Sequence, residues 1–217
     1  MSKPKAVVSW SGGKDSYLAL HRTISCFDVQ ALLTMFTEDG ARSRSHGLRP
    51  EVVIRQANLL NLCIVSGRAS WESYEEEFKR ILRDLARDGF SHLICGDIFL
   101  DEHKAWVERV GKECGLVAVE PLWGESTISL FREFLSTGAE AQIVSTKASL
   151  LDRSWLGQTL SEPMLSGFER LGVDPCGERG EYHTLVSNSP RMSSRLELRE
   201  ISRVTHDGYW MLDIELP

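Results

Sequence analysis

Apolar positions follow two rhythms along the chain. Short runs rich in aliphatic and β-branched residues, at 5–10, 29–36, 62–65, 92–95 and 117–119, predict strands. Between them, segments at 15–26, 50–60, 71–88 and 102–114 repeat their apolar residues at helical spacing. The third of these is the clearest: Tyr74, Phe78, Ile81, Leu82 and Leu85 fall on one stripe, Glu, Lys and Arg cover the other faces, and Gly89 ends it. Strands alternating with helices predict an α/β fold, a doubly wound and mostly parallel sheet with helices on both faces. Such sheets bind ligands beyond the carboxyl ends of their strands.

The rhythm changes after Pro121-Leu122-Trp123-Gly124. A helix at 126–136 closed by Gly138, a strand at 141–144, a helix at 164–171 and strands at 182–186, 196–201 and 209–216 predict a smaller α+β unit. The expected division is therefore a domain at 1–123 and a second at 124–217.

Composition narrows the partners. A chain of 217 residues can bury a substantial core, and 25 Lys plus Arg against 31 Asp plus Glu leave a net charge of −6, which argues against non-specific nucleic-acid binding. No apolar stretch reaches the roughly 20 residues that span a bilayer, and no signal-like apolar run follows Met1-Ser2-Lys3-Pro4, so a cytoplasmic address without membrane contact is expected. The five cysteines are dispersed, with no Cys-x-x-Cys pair, and read neither as a disulfide framework nor as a zinc site. Cys63 and Cys95, in strand-like runs, are expected to be small buried residues, and Cys176 is expected to pack rather than react.

Two dense motifs carry the chemistry. Ser11-Gly12-Gly13-Lys14-Asp15-Ser16 follows the first strand and opens the first helix. At such a junction backbone N–H groups and the positive helix end converge, small residues admit phosphate oxygens, the serines add hydroxyl donors and Lys14 adds a compact charge. Asp15 beside a phosphate is repulsive unless a cation lies between them, which points to Mg²⁺. The spacing is not that of a Walker A loop. Gly96-Asp97, after the fourth strand, places a second carboxylate at the same edge of the sheet, suited to Mg²⁺ or to orienting a reacting group. The other motif, Cys176-Gly177-Glu178-Arg179-Gly180-Glu181-Tyr182-His183-Thr184, sets two carboxylates on a Gly-rich turn, where they could bind an amine, position a metal or act as general base.

The first motif resembles the SGGxDS signature of PP-loop ATP pyrophosphatases, which cleave ATP between its α and β phosphates. Together with Gly96-Asp97-Ile98, Pro121-Leu122-Trp123, Leu156-Gly157 and the Cys-Gly-Glu-x-Gly-Glu-Tyr-x-Thr loop, in that order over nearly the whole chain, it resembles the diphthine-ammonia ligase family. The resemblance implies a HUP-type nucleotide-binding domain joined to a small carboxy-terminal domain, with the active site between them. It also implies ATP as the source of an acyl-adenylate, Mg²⁺, a carboxylate acceptor that is a small molecule or a protein side chain, and ammonia; a homodimer is compatible. On that reading Ser11, Gly12, Gly13, Lys14, Asp15 and Ser16 bind the nucleotide, and Asp15 and Asp97 are the metal candidates. Lys14, Asp97, Glu178 and Glu181 are the catalytic candidates. Lys104, Gly177, Glu178, Gly180, Glu181, His183 and Thr184 face the substrate, with Trp106 a further candidate for the acceptor pocket.

The family pattern is not followed throughout. Arg179 stands for an inner glycine, His183 for a final acid, and His103-Lys104-Ala105-Trp106 for an Arg-Val-Arg-like stretch. These positions belong to acceptor recognition, so the acceptor need not be diphthine. Two other readings stay open: a PP-loop tRNA-modifying enzyme, and a regulatory module that binds ATP without turning it over.

Overall fold

The computed structural model describes residues 2–217. Strands β1 (Lys5–Ser9), β2 (Asp28–Phe36), β3 (Cys63–Arg68), β4 (His92–Ile94) and β5 (Val117–Val119) form one sheet in the order β3-β2-β1-β4-β5, every pair parallel. Helices α1 (Lys14–Thr23), α2 (Pro50–Leu59), α3 (Tyr74–Arg87) and α4 (Asp101–Glu113) make the crossovers. Strand order reverses between β1 and β4, so the two loops that leave these strands flank the crevice where ligands of such sheets bind.

Side-chain alternation on β1 builds a core on each face. Ala6 and Val8 join α1, α2 and the second half of the chain, whereas Val7 joins α3 and α4. Helix α3 is anchored by Phe78, Ile81, Leu82 and Leu85 and opens with Glu75, Glu76 and Glu77, which suit the positive end of its dipole.

The second half holds α5 (Thr127–Ser136), β6 (Glu140–Lys147), α6 (Met164–Leu171), β7 (Tyr182–Asn188), β8 (Arg199–His206) and β9 (Tyr209–Glu215). Its strands form an antiparallel sheet in the order β7-β6-β9-β8. Tyr182, Leu185 and Val186 of β7 lie in the same core as Tyr17 and Leu20 of α1, so the two sheets share one apolar interior. Arg22 ties the joint from outside: its guanidinium donates to the Pro121 carbonyl at 2.7 Å and pairs with Glu125 and Glu133.

Two sequence expectations need correction. The strand expected at 196–201 begins at Arg199, because Leu196 is apolar for another reason: it is buried in the core and its N–H donates to Ser187 O at 2.7 Å before the ladder starts. Cys63 is exposed, since β3 is the edge strand of the parallel sheet, while Cys95 is buried as expected. Among the described residues no helix is long and apolar enough to cross a membrane.

Candidate active site

The turn at 11–16 is built by close approach. A Cβ on Gly13 would stand 2.6 Å from His46 Cε1 and 3.0 Å from the Thr184 carbonyl, and one on Gly96 would stand 2.8 Å from the Asp15 carbonyl carbon. Glycine at 96 thus lets the end of β4 touch the first turn of α1 and brings Asp97 to the same edge as Asp15. Within the turn, Ser16 Oγ donates to Gly13 O at 3.0 Å and lies 3.2 Å from Ser11 Oγ.

Strand β7 and the loop before it clamp this turn. Val186 N–H donates to Gly12 O at 2.9 Å, and Lys14 N–H donates to Thr184 Oγ1 at 3.1 Å. Gln56 of α2, fully buried, completes the clamp: its Nε2 donates to Gly12 O at 2.9 Å and to Val186 O at 2.7 Å, and its Oε1 accepts from Trp10 Nε1 at 2.8 Å. The Lys14 ammonium is buried between the two motifs, 2.8 Å from Asp15 Oδ2, donating to the Cys176 carbonyl and 5.0 Å from the centre of the Tyr182 ring. Burial works against that charge, but Asp15 and the other polar neighbours outweigh it and raise the Lys14 pKa. Burial raises Asp15 as well, offset in part by Lys14.

The loop at 174–181 is organised from within. Asp174 Oδ1 accepts from Cys176 N at 2.9 Å and Glu178 N at 3.3 Å, an Asx turn of the kind aspartate favours. Glu181 is buried and turned onto its own loop, accepting from Arg179 N at 2.9 Å and Asp174 N at 3.4 Å. Glu178 instead reaches across to the first sheet, where its Oε1 accepts from Ile98 N at 2.8 Å. Burial first, then the charges of Asp15 and Asp97, push its carboxyl up to about 7. The charges of Asp15 and Asp97 both act on Glu178, so carboxylates from both motifs and from the end of β4 meet at this edge. Asp15 and Asp97 fit Mg²⁺ in the usual manner of one or two carboxylates completed by substrate phosphates. Among the described residues no group of three or more His, Cys, Asp or Glu side chains is placed to hold a metal ion.

The remaining expected residues fall around this centre. His183 is half-buried with its ring 4.6 Å from that of His46, and His46 Nδ1 lies 2.8 Å from Thr184 O, which assigns its N–H to that nitrogen. Burial, then Lys14, lowers His183 to about 4, and burial, then His183 and Lys14, lowers His46, so both rings are neutral near pH 7. Asp97 Oδ1 is 3.3 Å from His103 Nδ1 and raises that imidazole's pKa. Lys104 Nζ lies over the Trp123 ring at 4.5 Å. Arg179 stacks on Phe99 at 4.8 Å. Trp106 packs on Tyr74 and Phe78 and donates to Glu75 at 2.7 Å, because it lies on the α4 face that meets α3. Cys176 packs as expected, buried with its thiol pushed up by burial.

Sequence reasoning missed Gln56, His46 and Asp174. Only Asp174 carried a local signal, the turn-forming run Asp174-Pro175-Cys176-Gly177.

Two family models cover the chain, the diphthamide synthase N-terminal domain at residues 4–118 and the diphthamide synthase C-terminal domain at 126–216. The chain belongs to the diphthamide synthase family. Among curated relatives of this family member, the diphthine--ammonia ligase of Schizosaccharomyces pombe is 26% identical over 91% of the chain, and that of Homo sapiens is 33% identical over 52% of it. The chain spans 36% of the first relative's length and 44% of the second's. Among solved structures, a predicted subunit of tRNA methyltransferase from Methanocaldococcus jannaschii covers 86% of this family member, with 98% of its own chain matched, at 17% identity and a TM-score of 0.46.

Proposed function

We propose that this diphthamide synthase-family protein is an ATP-dependent amide ligase, with residues 1–123 handling the nucleotide and 124–217 the acceptor. The observation that carries this reading is the meeting of the two motifs at Lys14, whose N–H is held by Thr184 and whose ammonium is held by the Cys176 carbonyl and Asp15. An acceptor carboxylate attacks the α-phosphorus of ATP, the bond to the bridging oxygen breaks, and pyrophosphate leaves with the electron pair. Ser11, Gly12, Gly13 and Ser16 supply donors where that charge grows, and Lys14 neutralises it. Asp15 and Asp97 would hold Mg²⁺, which would supply further charge neutralisation at the phosphates. Ammonia then attacks the acyl carbon and AMP departs. Glu178, with its carboxyl near neutrality, is matched to taking the proton from ammonium before that attack. Glu181, accepting from the Asp174 and Arg179 N–H groups, would order the loop that carries Glu178. A soluble, cytoplasmic setting fits these substrates.

The test is AMP and pyrophosphate formation with ammonium and a panel of carboxylates, for the wild type, Lys14→Ala and Glu178→Gln. Both variants are expected to lose at least about a hundredfold in turnover, the scale of a lost acid–base or charge-stabilising group. Undiminished turnover in either removes that residue from the mechanism, and turnover that requires RNA moves the chain to the tRNA-modifying class.

A further inference from the structure

Beyond the paired imidazoles of His46 and His183 lies a cleft of about 770 Å³ that the mechanism above leaves unused. One wall is the segment between β2 and α2, with Arg42 and Arg44; the other is the β8–β9 hairpin with Tyr209 and Met211; Trp71 stands at the outer end and His183 at the inner. His183 feels the charge of Lys14, and His46 would meet a Cβ on Gly13, so the inner end abuts the phosphate turn.

Ionic groups along this cleft are unequally committed. Asp213 is held by Arg42 at 2.7 Å and by Arg49 at 2.9 and 2.8 Å. Asp207 is at the rim, 3.3 Å from His206. Arg44 is the lining arginine that makes no salt bridge among the described residues, although its charge acts on Glu72. Its guanidinium lies 3.8 Å from the centre of the Trp71 indole, and its Nε and Nη2 are shielded from solvent with no hydrogen-bond partner. Shielding charged donors without satisfying them is unfavourable, and stacking on an aromatic ring holds the guanidinium in a set orientation. Trp71, which stacks on the guanidinium, is itself 71% exposed, and Arg44 also lines a smaller pocket with Ser9, Trp10 and Ser11.

We propose that this cleft holds the acceptor, and that the acceptor carries, besides the carboxylate to be activated, a second anionic group received by Arg44. This rests on the ligase reading for the fate of the first carboxylate, but not for the occupancy of the cleft. A planar fork of donors matches a carboxylate or phosphate. A cationic group at the same place faces the Arg44 guanidinium, and the lining carboxylate Asp213 is already held by two arginines. The acceptor class assigned here is therefore a dianion, in contrast to one bearing a fixed positive charge.

The test is calorimetric titration of the full chain with two probes of similar length, glutarate and 4-(trimethylammonio)butanoate, with Mg²⁺–ATP titrated in parallel. Glutarate is expected to saturate the wild type and to bind roughly tenfold more weakly or worse to Arg44→Ala, the loss typical of a hydrogen bond to a charged group. Trp71→Ala, a change at an exposed position, weakens glutarate in the same direction, and the trimethylammonium compound gives no saturation. ATP affinity stays at its wild-type value in Arg44→Ala, which also reports that the variant is folded. The proposal is overturned if glutarate does not saturate the wild type at millimolar concentration, if Arg44→Ala binds it as the wild type does, or if the cationic probe binds equally well. It is also overturned if Arg44→Ala loses ATP as Lys14→Ala does, since Arg44 then serves the nucleotide. Arg44-dependent glutarate binding in a protein that releases no pyrophosphate with any acceptor would instead sink the ligase reading and leave the cleft assignment standing.

Discussion

Glu178 is a group whose removal is expected to improve the fold while, on the proposed mechanism, it damages the chemistry. Its carboxyl is buried beside Asp15 and Asp97, and the Ile98 N–H and Lys14 do not compensate, so its pKa rises from an ordinary 4.5 to about 7. That difference corresponds to about 3 kcal/mol between its protonated and ionised forms. A raised carboxyl pKa means that the folded state binds the proton more tightly than the unfolded chain, so the ionised form is a penalty. The penalty is absent below about 4.5, grows as pH rises to about 7, and is complete above it. Glu178→Gln keeps an oxygen to accept from Ile98 N–H but removes the charge. In metal-free buffer with chelator, urea unfolding should show the variant more stable than the wild type by roughly 2–3 kcal/mol at pH 8.5 and equal to it at pH 4.5. Comparing the two proteins at each pH cancels the titrating groups that do not interact with Glu178. Equal stabilities at both pH values, or a loss at pH 8.5, would refute the account of Glu178 as a destabilised, near-neutral base.

Two other outcomes test the clamp and the cysteines. Gln56→Leu removes three buried hydrogen bonds and leaves Trp10 Nε1 without its acceptor, so it should cost about 2–4 kcal/mol in urea unfolding and weaken ATP binding; a loss below about 1 kcal/mol would dismiss the clamp. Iodoacetamide on the native protein should label Cys26 and Cys63, which are exposed, and spare Cys95, Cys114 and Cys176 until denaturant is added. Rapid native labelling of Cys176, read by peptide mass spectrometry, would contradict its assignment as a packing residue.

Much of the fold was legible because its signals are local. Each strand of the parallel sheet is a short apolar run and α3 a full amphipathic stripe, so periodicity alone located them, and the phosphate turn was visible because its glycines and its lysine are adjacent in sequence. The segment at 196–201 misled for the opposite reason: Leu196 is apolar to fill the shared core, and burial outside a ladder leaves the same trace as burial within one. The site was less legible where it depends on long-range contact. Gln56 reads as an ordinary helix residue, yet it joins β1, the phosphate turn and β7, partners 44 and 130 positions away for Gly12 and Val186. Glu178 and Glu181 look equivalent in sequence, and only the fold separates them, one onto Ile98 and the other onto its own loop.

The clamp changes what the phosphate turn is. An isolated glycine-rich turn at a helix start presents its donors to any anion, but here one face is closed before a nucleotide arrives: Thr184 takes Lys14 N–H, and Val186 and Gln56 share Gly12 O. The ammonium of Lys14 is likewise engaged, by Asp15 and the Cys176 carbonyl. A phosphate drawn to that ammonium competes with the Cys176 carbonyl, so nucleotide binding and the position of the 174–181 loop are coupled through one side chain. Glu178 sits on that loop and touches Ile98 beside Asp97. On the proposed mechanism the residue assigned to deprotonating the amine is thus linked to the group assigned to the leaving phosphate, which is the arrangement a two-step ligase needs if ammonia is to attack only after ATP has been used.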